Sequence, residues 1–395
     1  MASKSFTLLT VIVLINIFNC FAEENYVEDD QTMKIDLYQR SPTEENGSVS
    51  GSKDPNGSIS ILDYMNQEFY GKISIGRPGQ TLNVVFDTTW IYTWVLSSKC
   101  SSIYNIGCYF HNKYNHDKSS DYKPDGRKFF VNLGIYNLTG FYSYDNISVS
   151  QYNVSNFSFI EITEVPKSFI INKADGVVGL GQKASNYDPL FYALSRQGKV
   201  RNSLFSIYFN RNYGSYKRGS IMLGYIDRNL TRSRKINGTK VYDEILYLPA
   251  PGLSYWQLHM DQIVMVHNST RNSTFCAKGC NAVLYSSSST ITGPAKEVAQ
   301  IHKFINAEKF LMDRYSVDCK KVDSLPAIHF RVRNKTFTLT GPKYVTKISY
   351  KFGTLCLTAF QEADTSTWFL GGAFLSEAYT IYDVAQRRIG LVNAA

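Results

Sequence analysis

Short apolar runs separated by turn residues dominate the chain after about residue 70. Residues 71–76, 82–86 and 129–133 are rich in β-branched and aromatic side chains and are bounded by Gly, Asn or Pro. This pattern predicts a mostly β protein with few helices. Residues 23–60 are acidic at first and then rich in Asn, Gly, Ser and Asp, a composition typical of a flexible linker or pro-region.

Two segments carry helix start signals. Asp188 and Pro189 precede the first, and they predict a helix over residues 190–197 with an N-cap and a proline in the first turn. Pro294 precedes the second, where apolar residues recur on one face from residue 295 to about 311. Both helices are expected to pack on a β body.

A strand-and-turn pattern occurs twice in the chain. Residues 84–89 are followed by an apolar-apolar-Gly element that ends at Gly179, and residues 282–287 are followed by the same element ending at Gly371. The turns lie 198 residues apart, from 87 to 285, and the glycines lie 192 apart. Such a nearly constant separation predicts two similar lobes.

Composition and charge narrow the class of protein. With 395 residues, 44% hydrophobic and 19% charged, the chain has a globular composition, which excludes a disordered or collagen-like protein. The formal net charge is +9, and the densest basic run lies within residues 228–240. We interpret this run as a solvated loop, because Asn229 and Asn237 place possible sugars in it and no nucleic-acid motif accompanies it. No nucleic-acid partner is expected.

The N-terminus predicts export. Residues 1–22 combine a positive Lys4, an apolar stretch and a small-residue cleavage site before Glu23, as in a secretory signal. No later stretch is apolar over 18 residues, so no transmembrane segment is expected. Of seven cysteines, Cys20 leaves with the signal, and the remaining even number suits an oxidising compartment. We expect the secretory pathway, with an extracellular or lysosomal destination.

Eleven Asn-x-Ser/Thr sequences predict a glycoprotein. Two of them, at Asn46 and Asn56, lie in the linker or pro-region. The other nine are Asn137, Asn146, Asn153, Asn156, Asn229, Asn237, Asn268, Asn272 and Asn334.

Several independent segments carry a family resemblance. Residues 70–80 read Tyr-Gly-Lys-Ile-Ser-Ile-Gly-Arg-Pro-Gly-Gln, Trp94 follows Asp87 at a characteristic distance, and residues 111–122 read His-Asn-Lys-Tyr-Asn-His-Asp-Lys-Ser-Ser-Asp-Tyr. In these segments the chain resembles the pepsin family of aspartic proteases, and most closely its cathepsin D-like members. The resemblance implies an all-β fold with a few short helices, in which two related β lobes flank a central cleft.

The resemblance also implies particular boundaries and crosslinks. The N-terminal lobe is expected at residues 61–208 and the C-terminal lobe at residues 209–395, after the signal (1–22) and the pro-region (23–60). No cofactor or metal is implied. The implied disulfides are Cys100–Cys108, Cys276–Cys280 and Cys319–Cys356.

The catalytic pattern of this family is incomplete here. Family members use two aspartates, one from each lobe, which share a proton and activate a water molecule, and each opens an Asp-Thr-Gly or Asp-Ser-Gly turn. The first turn here reads Asp-Thr-Thr at residues 87–89, and the second reads Tyr-Ser-Ser at 285–287. Asp87 is then the remaining catalytic carboxylate, and the Tyr285 phenol, with an ordinary pKa of about 10, cannot share its proton at acid pH. We therefore expect no useful proteolysis.

Other positions of the cleft also depart from the family. Thr89 and Ser287 replace the turn glycines and add Cβ atoms where the lobes approach. Leu133 stands in place of the flap tyrosine, with Tyr136 in the same hairpin and Asn137 beside the cleft. Gly372 replaces an expected aspartate.

The second residue of each turn keeps its hydroxyl group. In the family, these hydroxyls brace the two turns by hydrogen bonds to the opposite lobe, a role that Thr88 and Ser286 are expected to keep. The alternative is that they merely fill loop surface.

These observations support a hypothesis of an exported, glycosylated and inactive pepsin-like protein whose cleft binds a peptide or protein ligand. One alternative is a low-activity acid endopeptidase that uses Asp87, and another is a recognition protein with a closed cleft. A serine nucleophile within residues 286–289 is disfavoured, because no Gly-x-Ser-x-Gly elbow surrounds it. The five-residue spacing of His111 and His116 is poor support for a metal site. Oligomeric state is left open.

Overall fold

The structure, a computed structural model, describes residues 34–39, 69–101, 105–132, 137–172, 174–183, 186–210, 217–252, 254–267, 272–310, 313–350 and 353–395. These residues form 28 β-strands and four short α-helices, which confirms the predicted all-β fold. The expectations for the signal, for most of the pro-region, and for Asn46, Asn56, Leu133, Tyr136 and Asn268 lie outside the described residues.

The first ten strands belong to the N-terminal half. Their apolar residues alternate with polar ones, as in β6, where the inward positions are buried and the outward ones are exposed or half-buried. They are β1 (Lys34–Gln39), β2 (Phe69–Ile75), β3 (Gln80–Asp87), β4 (Trp94–Leu96), β5 (Lys123–Asn132), β6 (Asn137–Val149), β7 (Tyr152–Glu164), β8 (Gly176–Gly179), β9 (Leu204–Phe209) and β10 (Lys217–Leu223).

The C-terminal half contains the remaining strands, most of which are four to six residues long. They are β11 (Ser233–Ile236), β12 (Thr239–Tyr242), β13 (Leu246–Pro249), β14 (Gln257–Met260), β15 (Gln262–Val266), β16 (Asn272–Phe275), β17 (Cys280–Leu284), β18 (Ile291–Pro294), β19 (Glu308–Lys309), β20 (Tyr315–Ser316), β21 (Ala327–Val332), β22 (Lys335–Leu339), β23 (Val345–Tyr350), β24 (Gly353–Thr358), β25 (Phe360–Ala363), β26 (Trp368–Leu370), β27 (Ala378–Asp383) and β28 (Arg388–Asn393).

One large sheet joins the two halves. Its thirteen strands run in the order β13-β28-β27-β9-β10-β1-β2-β3-β8-β4-β7-β6-β5. The halves meet where β9 pairs antiparallel with β27, with Ile207 opposite Thr380. Smaller sheets, β14-β17-β26-β18-β25, β16-β15-β21-β22 and β19-β20-β24-β23, belong to the C-terminal half, as does the hairpin β11-β12. The predicted boundary between residues 208 and 209 falls inside β9 and stays a prediction.

Aromatic packing continues the core across this junction. Phe205 of β9 stacks on Tyr382 of β27 with ring centroids 4.6 Å apart. Trp256 packs edge-on against Tyr382 at 5.3 Å, and its indole N–H donates to the Leu180 carbonyl at 2.8 Å. All three rings are buried. The two halves therefore share apolar and hydrogen-bonded contacts close to the paired turns.

The four α-helices are short: α1 (Leu190–Arg196), α2 (Ala295–Phe304), α3 (Gly341–Tyr344) and α4 (Gly372–Leu375). The first agrees with the predicted helix over residues 190–197 to within one residue. The predicted cap is wrong, because Pro189 itself occupies the N-cap position and no side chain caps the helix. Asp188 instead accepts a hydrogen bond from the Arg196 guanidinium at 2.8 Å and pairs with Lys183.

The predicted end of the second helix, at about residue 311, is wrong. α2 ends at Phe304, and Asn306 adopts a left-handed backbone with φ 52°. The Asn306 N–H donates to the Lys303 carbonyl at 3.3 Å and the Ala307 N–H donates to the His302 carbonyl at 2.8 Å. This is the Schellman arrangement, which satisfies the last carbonyl groups of a helix and stops it.

The predicted duplication corresponds to the same substructure in both halves. β3 pairs parallel with β8, with Asp87 opposite Gly179, and β17 pairs parallel with β26. A Cβ added at Gly179 or Gly371 would collide with backbone atoms of the neighbouring turn. Glycine therefore recurs because the strand end must approach a turn closely in each half.

All three implied disulfides are confirmed. Cys100–Cys108, Cys276–Cys280 and Cys319–Cys356 are bonded, with Cα–Cα distances of 6.2, 5.6 and 5.4 Å. The last closes the longest loop, with a sequence separation of 37.

Candidate active-site turns

Two turns meet at the junction of the halves. Asp87 is the last residue of β3 and Tyr285 follows directly after β17. Each strand is held by its parallel partner, β8 or β26, and the Tyr285 N–H donates to the Leu370 carbonyl at 3.0 Å. Asp87 is 0% exposed and Tyr285 is 1% exposed. The side chains that correspond to the catalytic pair therefore lie in the protein interior.

Four hydrogen bonds join the turns in a two-fold pattern. The Thr88 hydroxyl donates to the Leu284 carbonyl at 2.8 Å, and the Ser286 hydroxyl donates to the Phe86 carbonyl at 2.7 Å. The Thr88 N–H donates to the Ser286 hydroxyl at 2.9 Å, and the Ser286 N–H donates to the Thr88 hydroxyl at 3.1 Å. The hydroxyl groups of both turns thus contact the opposite half of the chain.

The Asp87 carboxylate has an asymmetric environment. Its Oδ1 atom accepts hydrogen bonds from the Thr89 N–H and the Thr89 hydroxyl, both at 2.7 Å. Its Oδ2 atom is buried and has no hydrogen-bond partner within the described ranges. Burial raises the pKa of Asp87, and the hydrogen bonds from Thr89, together with the nearby Ser287 hydroxyl, oppose that rise. No second carboxylate of the described residues contributes to this shift.

Tyr285, which the resemblance matches to the second catalytic aspartate of the family, is a buried aromatic residue. The ring packs edge-on against Phe369, with centroids 6.1 Å apart. A phenol with an ordinary pKa of about 10 stays protonated at acid pH. It therefore cannot act as the ionised partner of Asp87.

Both replaced turn glycines are accommodated without strain in the backbone. Neither Thr89 nor Ser287 has a positive φ, and both side chains are buried. The sequence predicted extra Cβ atoms here but missed the hydrogen bond from the Thr89 hydroxyl to Asp87. A hydroxyl two residues after an aspartate was the available signal, since short polar side chains often bond within such turns.

Residues around the turns differ in exposure. Trp94 at the start of β4 is buried and packs on Phe169 at 6.0 Å, so it belongs to the core. Tyr255 is 44% exposed, and burial together with the charge of Asp87 raises the pKa of Tyr255. Sequence reasoning missed this partly exposed aromatic residue, because nothing in its Tyr-Trp context distinguishes it from a core strand.

A side chain at Gly372, where the resemblance leads us to expect an aspartate, would lie against an aromatic ring. A Cβ at Gly372 would lie 2.9 Å from a ring carbon of Phe69. Phe69 in turn packs on Phe209 at 4.5 Å, inside the core. Glycine at this position therefore leaves the space that the Phe69 ring occupies.

The two histidines singled out in the sequence make separate structural contacts. His116 Nδ1 lies 2.9 Å from both carboxylate oxygens of buried Glu161. His111 Nε2 lies 2.9 Å from the Phe169 carbonyl oxygen, and its Nδ1 lies 3.6 Å from Asp175. Within the described ranges, no three His, Cys, Asp or Glu residues are grouped as metal ligands.

Most of the predicted glycosylation sites are accessible. Asn146 is half-buried; its Nδ2 donates to Asp121 at 2.6 Å, and its Oδ1 accepts from the Asn156 N–H at 3.0 Å. The exposed sites are Asn137, Asn153, Asn156, Asn229, Asn237, Asn272 and Asn334.

Comparison with known proteins places the chain in a family. The model of the eukaryotic aspartyl protease family matches residues 68–394. Cathepsin D of Clupea harengus is 34% identical over 344 residues, which cover 85% of this chain and 83% of that protein. Cathepsin D of Mus musculus is 34% identical and that of Homo sapiens 33%, each covering 85% of this chain and 82% of the relative. In the described part of the chain, no helix has the length and apolar content needed to cross a membrane. With a family model covering most of its length and relatives of this identity, the chain belongs to the eukaryotic aspartyl protease family.

Proposed function

We propose that this protein is a family member without endopeptidase activity. The observation that carries the proposal is that buried Asp87 heads one of the two hydrogen-bonded turns, whereas buried Tyr285, and not a second carboxylate, heads the other. Family catalysis requires two carboxyl groups so close that they share one proton. A phenol can donate a hydrogen bond, but its ordinary pKa of about 10 is too far from that of a carboxyl group for the two to share a proton and exchange the acid and base roles.

The expected loss of rate is large. One positioned general acid or base typically contributes about 10² to 10⁴ in rate. The substitution removes one of the two groups and places a ring near the position of the attacking water. Hydrolysis should therefore fall below the level of a useful protease.

We propose in addition that the cleft between the lobes binds an extended peptide or protein segment. The hydrogen-bonded turns support this idea, because they hold both halves in register without using the catalytic carboxylate. Tyr255 adds a partly exposed aromatic side chain, whose pKa is raised by burial and by the charge of Asp87. Aromatic residues of this kind contribute much of the binding energy at protein interfaces.

We propose that the protein acts outside the cytosol. The signal-like residues 1–22 and the sequons support export. The three disulfides support an oxidising compartment. We propose an extracellular or lysosomal destination.

A peptide-cleavage assay tests the loss of activity. Purified protein is incubated with a fluorogenic peptide across acid pH, with and without pepstatin, beside an Asp87→Asn variant. We expect no turnover that pepstatin inhibits. Turnover that is sensitive to pepstatin and absent from Asp87→Asn would overturn the proposal in favour of a low-activity acid endopeptidase.

Restoration of both turns identifies the cause of the inactivity. Thr89→Gly and Ser287→Gly, combined with Tyr285→Asp and Ser286→Thr, give Asp-Thr-Gly in each half. Activity in this variant would attribute the loss to the turns. Continued inactivity would mean that other changes in the cleft also block catalysis.

A binding assay tests the second part of the proposal. An immobilised peptide library is probed with the wild-type protein, a Tyr255→Ala variant and a Tyr109→Ala control. Tyr109 is 60% exposed and makes an aromatic contact with Phe110. We expect Tyr255→Ala alone to weaken peptide capture. Absence of capture by the wild type, or equal capture by all three proteins, would favour a closed cleft.

A further inference from the structure

A groove of about 670 Å³ lies on the N-terminal half. Neither Asp87 nor Tyr285 lines it, so it is separate from the paired turns. Its volume is within the range of about 300 to 1,000 Å³ that is typical of small-molecule sites. Five aromatic residues form its wall: Tyr92, Tyr142, Tyr144, Phe157 and Tyr187.

The aromatic wall is held in a fixed position. Tyr92 and Tyr187 pack with ring centroids 4.9 Å apart. The Tyr187 hydroxyl donates to the Ser158 carbonyl at 2.8 Å and accepts from the Thr93 N–H at 2.9 Å. Because both groups on the hydroxyl belong to the backbone, the ring is anchored by β7 and by the residue that directly precedes β4. The groove therefore presents rigid apolar faces to whatever occupies it.

Polar side chains border these rings. Asn186, Asp188, Arg196 and Arg127 all line the groove. The Arg127 guanidinium lies over the Tyr142 ring at 4.6 Å. A lining of ring faces with amide, carboxylate and guanidinium groups suits a ligand that has both C–H faces and many hydroxyl groups.

A β-bulge brings Asn156 to the edge of the groove. Asn146 of β6 faces both Ser155 and Asn156 of β7, and the register shifts at this point. Ser155 and Asn156 are consequently both exposed, which breaks the alternation along β7. Asn156 has a left-handed backbone with φ 49°, and it lines the groove.

The bulge is fixed by hydrogen bonds from two other elements. The Ser155 N–H donates to Gln197 Oε1 at 3.0 Å, and Gln197 Nε2 donates to the Ser155 carbonyl at 2.8 Å. The Asn156 N–H donates to Asn146 Oδ1 at 3.0 Å. The attachment point of a sugar chain is thus held rigidly beside the aromatic wall.

We propose that Asn156, within Asn-Phe-Ser, carries an N-linked glycan and that the first sugars of this glycan lie in the groove. The C–H faces of sugar rings pack on aromatic faces, whose π-electrons attract their partial positive charge. The sugar hydroxyls find donors and acceptors on the polar border. Because the glycan is covalently attached at the groove, little translational freedom is lost on docking. This proposal rests on the proposed export of the chain.

Native deglycosylation tests the proposal. The full chain is expressed in a secreting eukaryotic cell line and treated with peptide N-glycosidase, and release at each asparagine is followed by mass spectrometry. Asn153 is the matched control, because it lies on the same strand and is exposed but does not line the groove. We expect the Asn156 glycan to be released about tenfold more slowly than the Asn153 glycan, which corresponds to about 1.4 kcal/mol of protection. The two rates should be equal after denaturation.

Variants distinguish docking of the glycan in the groove from general shielding of the glycan by the protein surface. Tyr144→Ala removes part of the aromatic wall and should bring the native Asn156 rate close to the Asn153 rate, whereas Tyr109→Ala should leave it unchanged. Equal native rates in the wild type, or an unmodified Asn156 beside a modified Asn153, would overturn the groove proposal alone. An absence of sugar at every site would overturn export as well. The Asn156→Gln variant could also bind an added oligosaccharide while the wild type shows no protection of its Asn156 glycan. This result would assign the groove to a ligand from another molecule and would overturn the proposal.

Discussion

The hydrogen bonds between the two turns give a quantitative prediction for stability. Thr88→Val keeps the shape of the side chain but removes the hydroxyl that donates to the Leu284 carbonyl and accepts from the Ser286 N–H. Thr88 and Ser286 are almost completely buried, so water does not replace the lost partners. Each buried polar group left unsatisfied costs about 1 to 3 kcal/mol. With two such groups, we expect the free energy of unfolding to fall by about 2 to 6 kcal/mol.

Guanidinium denaturation, followed by tryptophan fluorescence, measures this loss. Thr292→Val is the matched control, because Thr292 is 2% exposed and its hydroxyl has no hydrogen-bond partner in the described part of the chain. We expect the control to be neutral or stabilising. Ser286→Ala and the Thr88→Val/Ser286→Ala double variant complete a cycle, and the single losses should not add, since the two hydroxyls share bonds. If Thr88→Val were no less stable than Thr292→Val, the turns would not be energetically coupled.

Three further predictions concern the turns and the surface. Burial raises the pKa of Asp87 above its ordinary value of 3.8, so ionisation of Asp87 destabilises the folded chain as pH rises above that value. At pH 7, Asp87→Asn should therefore melt at a higher temperature than the wild type, whereas below about pH 3.8 the variant should have no such advantage. A lower melting temperature of the variant at pH 7 would contradict the raised pKa. Gly371→Ala places a Cβ against backbone atoms and should cost about 1 to 3 kcal/mol in chemical denaturation, whereas Gly252→Ala, with its nearest neighbouring atom at 3.7 Å, should cost less. Mass spectrometry should find a lower glycan occupancy at half-buried Asn146 than at exposed Asn153, and equal occupancy would show that the local hydrogen bonds do not limit modification.

The overall fold could be predicted from sequence because its signals are local and repeated. Glycines such as Gly179 and Gly371 recur where a strand end meets a turn, and this requirement is visible at a fixed separation. The end of α2 was less visible. Its apolar face continues to Ile305, but Asn306 adopts the left-handed conformation that stops the helix. An asparagine permits that conformation without requiring it, so periodicity alone extended the helix too far.

The position of the two turns could also be predicted from the sequence, but the hydrogen bonds within them could not. The tyrosine at position 285 can be read directly from the sequence. The contact between the Thr89 hydroxyl and Asp87 depends on a side-chain rotamer inside a buried turn. The effect of the Asp87 charge on the pKa of Tyr255 depends on how two segments distant in sequence meet. Both are tertiary features, which leave no local pattern in a single sequence.

The structure separates the scaffold of the turns from their chemistry. The brace uses hydroxyl groups at the second position of each turn, whereas catalysis in the family uses carboxyl groups at the first. A tyrosine at the first position of a turn is therefore compatible with every bond of the brace. Asp87 retains a local role, because its Oδ1 atom holds the Thr89 N–H and hydroxyl. Asparagine offers the same acceptor without a charge, so an effect of Asp87→Asn on peptide binding, with the turn intact, would show that the cleft still uses the negative charge.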